Sequence, residues 1–448
     1  MGIALTAEQV VALAPDPASA SAGKKLAAPR TWQGLGQNDV ALWGACQGSA
    51  LYQVSVDSAN FTVKCTCPSR KFPCKHGLGL LLLAVANAIP VGEPPAWVVE
   101  WLAKRAATAQ KSEERATRTP DPTAPPTADQ LKRAAKKLSR TAQGLDELDL
   151  WMNDLIRNGL AGIEQQPLRF WDERARRLVD AQAPGLAAYL RSMHDTAGAT
   201  PDWPERLLAQ LGRAALLTQA FRHLDDLSPD LQEELRQIIG WNLNQDAVGT
   251  RGEQVNDEWL VVGQWVQEDE QRPHVRHQRS WLLGLATGRP ALILQTSAMG
   301  APFPEIIIPT TRFRGALRYW PGAVPVRARI EARQMEGLST ITERLPGAPT
   351  IADMLSDMAA MLARQPWQAL RRLAVLRDVT PLCTENGAHW SLHDSANMVL
   401  PLAGDDHWRL LAVSGGHPVD VACEWDGERL RPLGVLAQGT YTLLGGAI

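Results

Sequence analysis

Cys65-Thr66-Cys67-Pro68-Ser69-Arg70-Lys71-Phe72-Pro73-Cys74-Lys75-His76 sets the architecture of the N-terminal part of this chain. The pattern is C-x-C, six residues, then C-x-H. Three soft sulfurs and one imidazole are the donor set of a closed tetrahedral zinc site. In an extended segment residues i and i+2 project to the same side, so Cys65 and Cys67 can face one metal. Pro68 and Pro73 stiffen the loop that bends back. Cys74 and His76 stand at the start of an apolar run, residues 77–89, which reads as a buried helix; its free N–H groups and positive end favour thiolate. The expected ligands are therefore Cys65, Cys67, Cys74 and His76, holding one Zn²⁺ per chain. Four protein ligands leave no open position, so the metal is expected to be structural. The C-x-C spacing is not the C-x-x-C of a redox dithiol. Arg70, Lys71 and Lys75 offset the negative charge of three thiolates on one dication. They are also the candidate contacts to phosphate or to a partner.

Upstream, Tyr52, Val54 and Val56 alternate with polar residues, as do Phe61 and Val63, and Gln47-Gly48-Ser49 marks a turn; these are short strands. Before them, Thr6-x-x-Gln9 is a capping-box pattern that predicts a short helix, closed by Pro15 and Pro17. Residues 18–37 are small and polar and are expected as loop. Downstream, Pro94-Pro95 opens a helix with Trp97 and Trp101 on one face. Residues 112–128 hold four prolines and read as an exposed linker that uncouples the rest of the chain from the head.

Within this frame, C-x-C-x6-C-x-H between a β-hairpin and an apolar helix resembles the SWIM zinc finger. Trp43-Gly44-x-Cys46-x-Gly48-Ser49 followed by CPSRKFPCKHGLGLLLL resembles the bacterial SWIM zinc finger family proteins. The finger covers about residues 40–90; beyond it the likeness is one of overall layout. The resemblance implies a ββα fold and assigns the zinc to Cys65, Cys67, Cys74 and His76. SWIM domains bind DNA or proteins in different settings. The bacterial family implies a cytoplasmic assembly with an AAA-type ATPase or a von Willebrand A-domain protein as partner.

The remaining chain divides by texture. Residues 129–250 read as a helical domain of about five helices, with Leu145, Leu148, Trp151, Leu155 and Ile156 on one stripe. Residues 251–448 read as mainly antiparallel β. Strands are expected at 259–265, 280–285, 291–295, 306–309, 324–330, 390–392, 398–400, 408–413, 420–425 and 441–444, with helix at 351–377. The fold class is α+β: a small ββα zinc-finger head, a helical middle region and a mainly antiparallel β C-terminal region. The boundaries are 1–39 (N-terminal segment), 40–92 (finger), 93–128 (helix and linker), 129–250 and 251–448.

Charge and composition narrow the function. Of 448 residues, 46 are Lys or Arg and 48 Asp or Glu, for a net charge of −2, which excludes a uniformly basic nucleic-acid binder. Residues 1–100 carry +1, residues 101–145 carry +6 and residues 146–448 carry −9, so a basic connector joins a neutral head to an acidic body. No apolar run is long enough to span a membrane, and the N-terminus lacks the basic start of a signal peptide. His274-x-x-His277 sits among arginines and reads as a surface loop. His389 and His393 lie in a strand-like stretch, and Asp405-Asp406-His407 reads as a hairpin turn. Cys383 and Cys423 read as small core residues, and Cys46 as a neighbour of the zinc site that is not needed as a ligand. No nucleotide-binding, zinc-protease or nucleophile-elbow motif is present, so no catalytic residue is expected. The expected function is protein–protein interaction supported by the finger. The alternative is DNA binding through the finger and the basic connector.

Overall fold

The computed structural model describes residues 5–444 apart from 59–60, 70, 118–126, 242, 244, 270–271, 273, 300, 302, 338–343, 368–370 and 385–388. In the head, Thr6 opens helix α1 (Ala7–Ala12) with a complete capping box: its hydroxyl accepts from Gln9 N at 3.3 Å, and the Gln9 side chain accepts from Thr6 N at 3.0 Å. Residues 18–37 are not loop. They form most of helix α2 (Pro17–Leu26) and all of strand β1 (Trp32–Gln37). The cause is local: Asp16 caps α2, accepting from Ser19 N at 2.7 Å, with Pro17 at the first helical position. An Ala-Ser run looks like loop by composition, yet alanine is the best helix former.

Strand β1 pairs antiparallel with β2 (Ala41–Gln47), which pairs with β3 (Leu51–Asp57), which pairs with β4 (Val63–Cys65). Helix α3 (Lys75–Val85) lies against this sheet. The expected ββα unit is thus the centre of a larger head. Val10 of α1, Trp32 of β1, and Leu78 and Leu81 of α3 share one core with Leu42, Val54, Val56 and Val63. Helix α4 (Ala96–Thr117) packs separately, its Val98 against Ala41 and Trp43. The linker expected over 112–128 begins inside this helix, and its residues 118–126 lie outside the described residues.

The middle region is helical: α5 (Ala128–Asn158), α6 (Leu168–Asp180), α7 (Pro184–Ser192), α8 (Trp203–Arg222) and α9 (Pro229–Ile239). On α5 the buried stripe is Leu145, Leu148, Met152 and Leu155, a 3-4-3 spacing. Ile156, expected on that stripe, is 48% exposed because it lies one residue, about 100° of helix turn, past Leu155. The N-terminal turns of α5, residues 128–136, are exposed. A short α10 (Gln245–Arg251) leads into the C-terminal region.

There, β5 (Gln254–Glu268), β6 (Val275–Gly284), β7 (Pro290–Ala298), β8 (Arg312–Tyr319) and β9 (Ala328–Gly337) form an antiparallel sheet in the order β7-β6-β5-β8-β9. After helix α11 (Ile351–Arg364) come β10 (Arg372–Cys383), β11 (Trp390–His393), β12 (Val399–Pro401), helix α12 (Trp408–Ser414), β13 (Val419–Trp425), β14 (Leu430–Ala437) and β15 (Thr440–Leu443). These strands make the second sheet, β12-β11-β10-β13-β14-β15. The sheets meet over Leu260, Val262, Trp281, Val375, Ala422 and Leu433. Gly263 permits that approach, since a Cβ there would stand 2.8 Å from Leu433 Cβ.

Several expected elements differ. Helix α11 stops at Arg364, and 372–377 are strand, because Pro366 cannot continue the helix. Residues 408–413 are helical, with Leu410 and Ser414 buried four apart; a short apolar run does not show its period. The strand expected at 324–330 runs instead over β9, and β8 has no counterpart among the expected strands. Residues 306–309 form no strand. They are a strap whose Ile307 enters the core of the first sheet while Ile306 and Ile308 pack into the core of the head.

The strap corrects the expectation that the head is uncoupled. Ile308 is 2% exposed in the head core, and Gln9 of α1 donates to Thr310 Oγ1 at 3.1 Å. The body holds the strap through Gln264 Nε2 to Ile307 O (2.8 Å) and Arg333 Nη1 to Ile306 O (2.9 Å). The bundle is joined to the body as well: buried Glu234 of α9 accepts from Trp367 Nε1 and from Ala323 N, both at 2.9 Å.

Candidate metal centre

Pairing places the first two ligands. Val54 of β3 faces Cys65 at the end of β4, and the ladder continues one residue further through Gln53 and Thr66, whose backbone and hydroxyl groups exchange hydrogen bonds at 3.0 and 3.1 Å. Cys67 follows two residues on and so projects to the same side as Cys65. Cys74 is the N-cap of α3 in an extended conformation, and His76 is the second helical residue. Helix α3 can come this close because Gly77 faces β4: a Cβ there would stand 2.5 Å from Val63 Cγ1.

The four ligand atoms lie within 4.8 Å of one another. His76 Nδ1 is 3.7 Å from Cys65 Sγ and 4.0 Å from Cys74 Sγ. A regular tetrahedron with Zn–S of about 2.3 Å and Zn–N of about 2.0–2.1 Å has edges of about 3.6–3.8 Å. The donor set and its spacing therefore fit zinc, and all four expected ligands converge.

The backbone is arranged for thiolate. Cys67 N–H points at Cys65 Sγ (3.5 Å), Ser69 N–H donates to Cys67, and Gly77 N–H donates to Cys74. Before metal is bound, the Cys65 thiol hydrogen-bonds Cys74 and, with the His76 and Gly77 donors, brings Cys74 down to about 4. The same bond, with burial, pushes Cys65 far up, and burial pushes Cys67 up. One thiolate thus forms readily, and the metal must displace the other two protons.

Around the ligands, the Tyr52 ring packs on His76 with centroids 5.0 Å apart. Tyr52 reads in sequence only as one of three alternating strand residues; the signal for its role is the register that sets it opposite Cys46 across the hairpin. Cys46 itself is buried, its thiol pushed up by burial, and it stands outside the ligand cluster. Lys71 is committed: its Nζ lies 2.8 Å from Asp16 Oδ2, and that contact holds Asp16 at about 2. Lys75 is exposed at the first position of α3. Arg70 lies outside the described residues.

Of the weaker sequence signals, His277 lies in strand β6 and not in a surface loop. His277 Nε2 is 3.1 Å from Asp269 Oδ2 and its Nδ1 is 3.1 Å from Thr296 Oγ1. His407 Nε2 lies 3.1 Å from Ala403 O, and its ring stands edge-on to Trp390. Asp405 to His407 precede α12 and do not turn between two strands. Cys423 is fully buried in the core of the second sheet, and Cys383 packs against that core. Among the described residues no other group of three or more His, Cys, Asp and Glu side chains could hold a metal.

Residues 52–84 match the SWIM zinc finger, and residues 136–239 match the SWIM-associated four-helix bundle domain. No curated protein and no solved structure matches the chain. The second match spans most of α5 through α9, a region whose sequence carries only a helical texture. The chain carries a SWIM zinc finger, with one structural zinc on Cys65, Cys67, Cys74 and His76, together with the SWIM-associated helical bundle.

Proposed function

We propose that the zinc-ordered head is a docking module for another protein. The observation that carries this reading is a groove of about 520 Å³ on the head, walled by Trp43 and Trp97 with Leu35 and Leu51 beside them. Leu51 in its wall is 48% exposed, and Val91, next to the lining residue Gly92, is 78% exposed. Large apolar side chains clustered at the surface mark contact sites, and Trp is among the residues enriched at the energetic centres of interfaces. The zinc takes no catalytic part in this reading, because four protein ligands fill its coordination. A cytoplasmic assembly containing an AAA-type ATPase or a von Willebrand A-domain protein is the setting that the family resemblance suggests.

The DNA-binding reading has one observation of its own. Lys132, Arg133, Lys136 and Arg140 are exposed on the N-terminal part of α5. Against it, Lys71 is already paired, and α3 is too buried to lie in a groove of DNA. The test is capture of partners by the full chain from native extract, with and without nuclease. Partners that persist after nuclease and are lost on Trp97→Ala support docking through the Trp groove. Partners that vanish with nuclease favour DNA.

A further inference from the structure

We infer that a second groove, directly over the metal centre, seats an extended peptide of the partner protein and holds its main chain. This rests on the protein-docking reading. The groove, about 500 Å³, runs between α2, the β2–β3 turn and the loop after Cys67; Ala18, Ala22, Ser49, Tyr52, Pro68 and His76 line it.

His76 points to the ligand. It is 3% exposed, and its Nδ1 faces the thiols. Its Nε2 makes no hydrogen bond among the described residues, although the ring forms part of the groove wall. A metal-bound imidazole regularly donates its other N–H to a carbonyl, a carboxylate or water. Here the acceptor has to come from the groove.

Charge selects among acceptors. Three thiolates on a dication leave the centre at −1, and Lys75 on the groove wall offsets it. Lys71 brings nothing more, since Asp16 holds it at 2.8 Å. Among the described residues the wall is close to neutral, which favours the neutral carbonyl of a peptide over phosphate or carboxylate. Cys67 is on the same wall, and its sulfur can accept a peptide N–H. Ala18, Ala22 and Pro68 leave room for a side chain against the Tyr52 ring. The occupant is therefore an uncharged, extended segment that offers C=O to His76 and N–H to Cys67.

The experiment uses the zinc-loaded full chain and random heptapeptides displayed on phage. Selected peptides are remade and titrated against the parent chain, Ala18→Trp and Ser49→Trp, each checked for one zinc per chain. Both substitutions fill the groove from exposed positions away from the ligands. The expected result is at least about a tenfold loss of affinity in each variant that retains zinc, with the His76 Nε2–H resonance of the parent moving as peptide is added. Selected peptides that bind the filled variants as tightly overturn this inference while leaving the docking reading intact. Selection of no peptide also overturns it, and the extract experiment then judges the docking reading alone.

Discussion

Cys65, Cys67 and Cys74 carry the same chemistry but hold their protons differently, and the difference predicts how zinc uptake depends on pH. Cys74 sits at about 4, while Cys65 and Cys67 are pushed up. At neutral pH the cysteines should release about two protons per zinc, and log Kd should fall by about two per pH unit. Calorimetry in buffers of different ionisation enthalpy reads the number directly; release of three cysteine protons at neutral pH would contradict the arrangement. Replacing Cys67 by Ser should release the metal and with it local folding energy on the order of 10 kcal/mol. Metal analysis and amide exchange in α3 check that outcome. A normally ordered α3 in a zinc-free protein would show that the metal is not structural.

Among the elements, α3 and its ligands are legible in sequence because everything that defines them is local: spacing, prolines and one apolar run. The strap is not. EIIIP at 305–309 looks like any short β segment, and nothing near it indicates that Ile308 belongs to a core built from residues 5–89. The period of 408–413 is equally unreadable, since six residues fit strand or helix; only the burial of Leu410 and Ser414, four apart, shows the helix. Helix α2 is hidden for the opposite reason: its cap at Asp16 is local and visible, but the small polar residues after it obscure it. Ile308→Ala should cost about 2–4 kcal/mol through the cavity it leaves. The loss should appear in α3 and α1 as much as in the first sheet. Chemical denaturation with amide exchange resolved by segment measures this, and loss confined to the sheet would mean that the strap does not close the head.

The strap and the carboxylate of Glu234 are two of the joints of the whole molecule; Arg206 to Glu428 at 2.6 Å and Gln237 to Pro321 O at 2.7 Å also tie the bundle to the body. Burial pushes the Glu234 carboxyl up, and its donors come from the other side of the joint, Trp367 and Ala323. Glu234→Ala leaves both donors unmet and should cost about 3 kcal/mol, separating the melting of the bundle from that of the body. A single unshifted transition in scanning calorimetry would refute the joint. Charge acts at this scale too. If the chain binds double-stranded DNA, log K should fall with log salt by about 0.9 per phosphate contact. Lys132→Ala with Lys136→Ala should flatten that slope by about two contacts, and an unchanged slope removes α5 from the reading. The strap, finally, sets a schedule. Gln9 and its acceptor Thr310 are 301 residues apart. At about 5–20 residues per second of synthesis, the side chains that close the head arrive roughly 15–60 s after α1 has been made. For that interval the nascent finger, even with zinc in place, presents an open apolar seat on the ribosome, and whatever shields it there takes part in the birth of this protein.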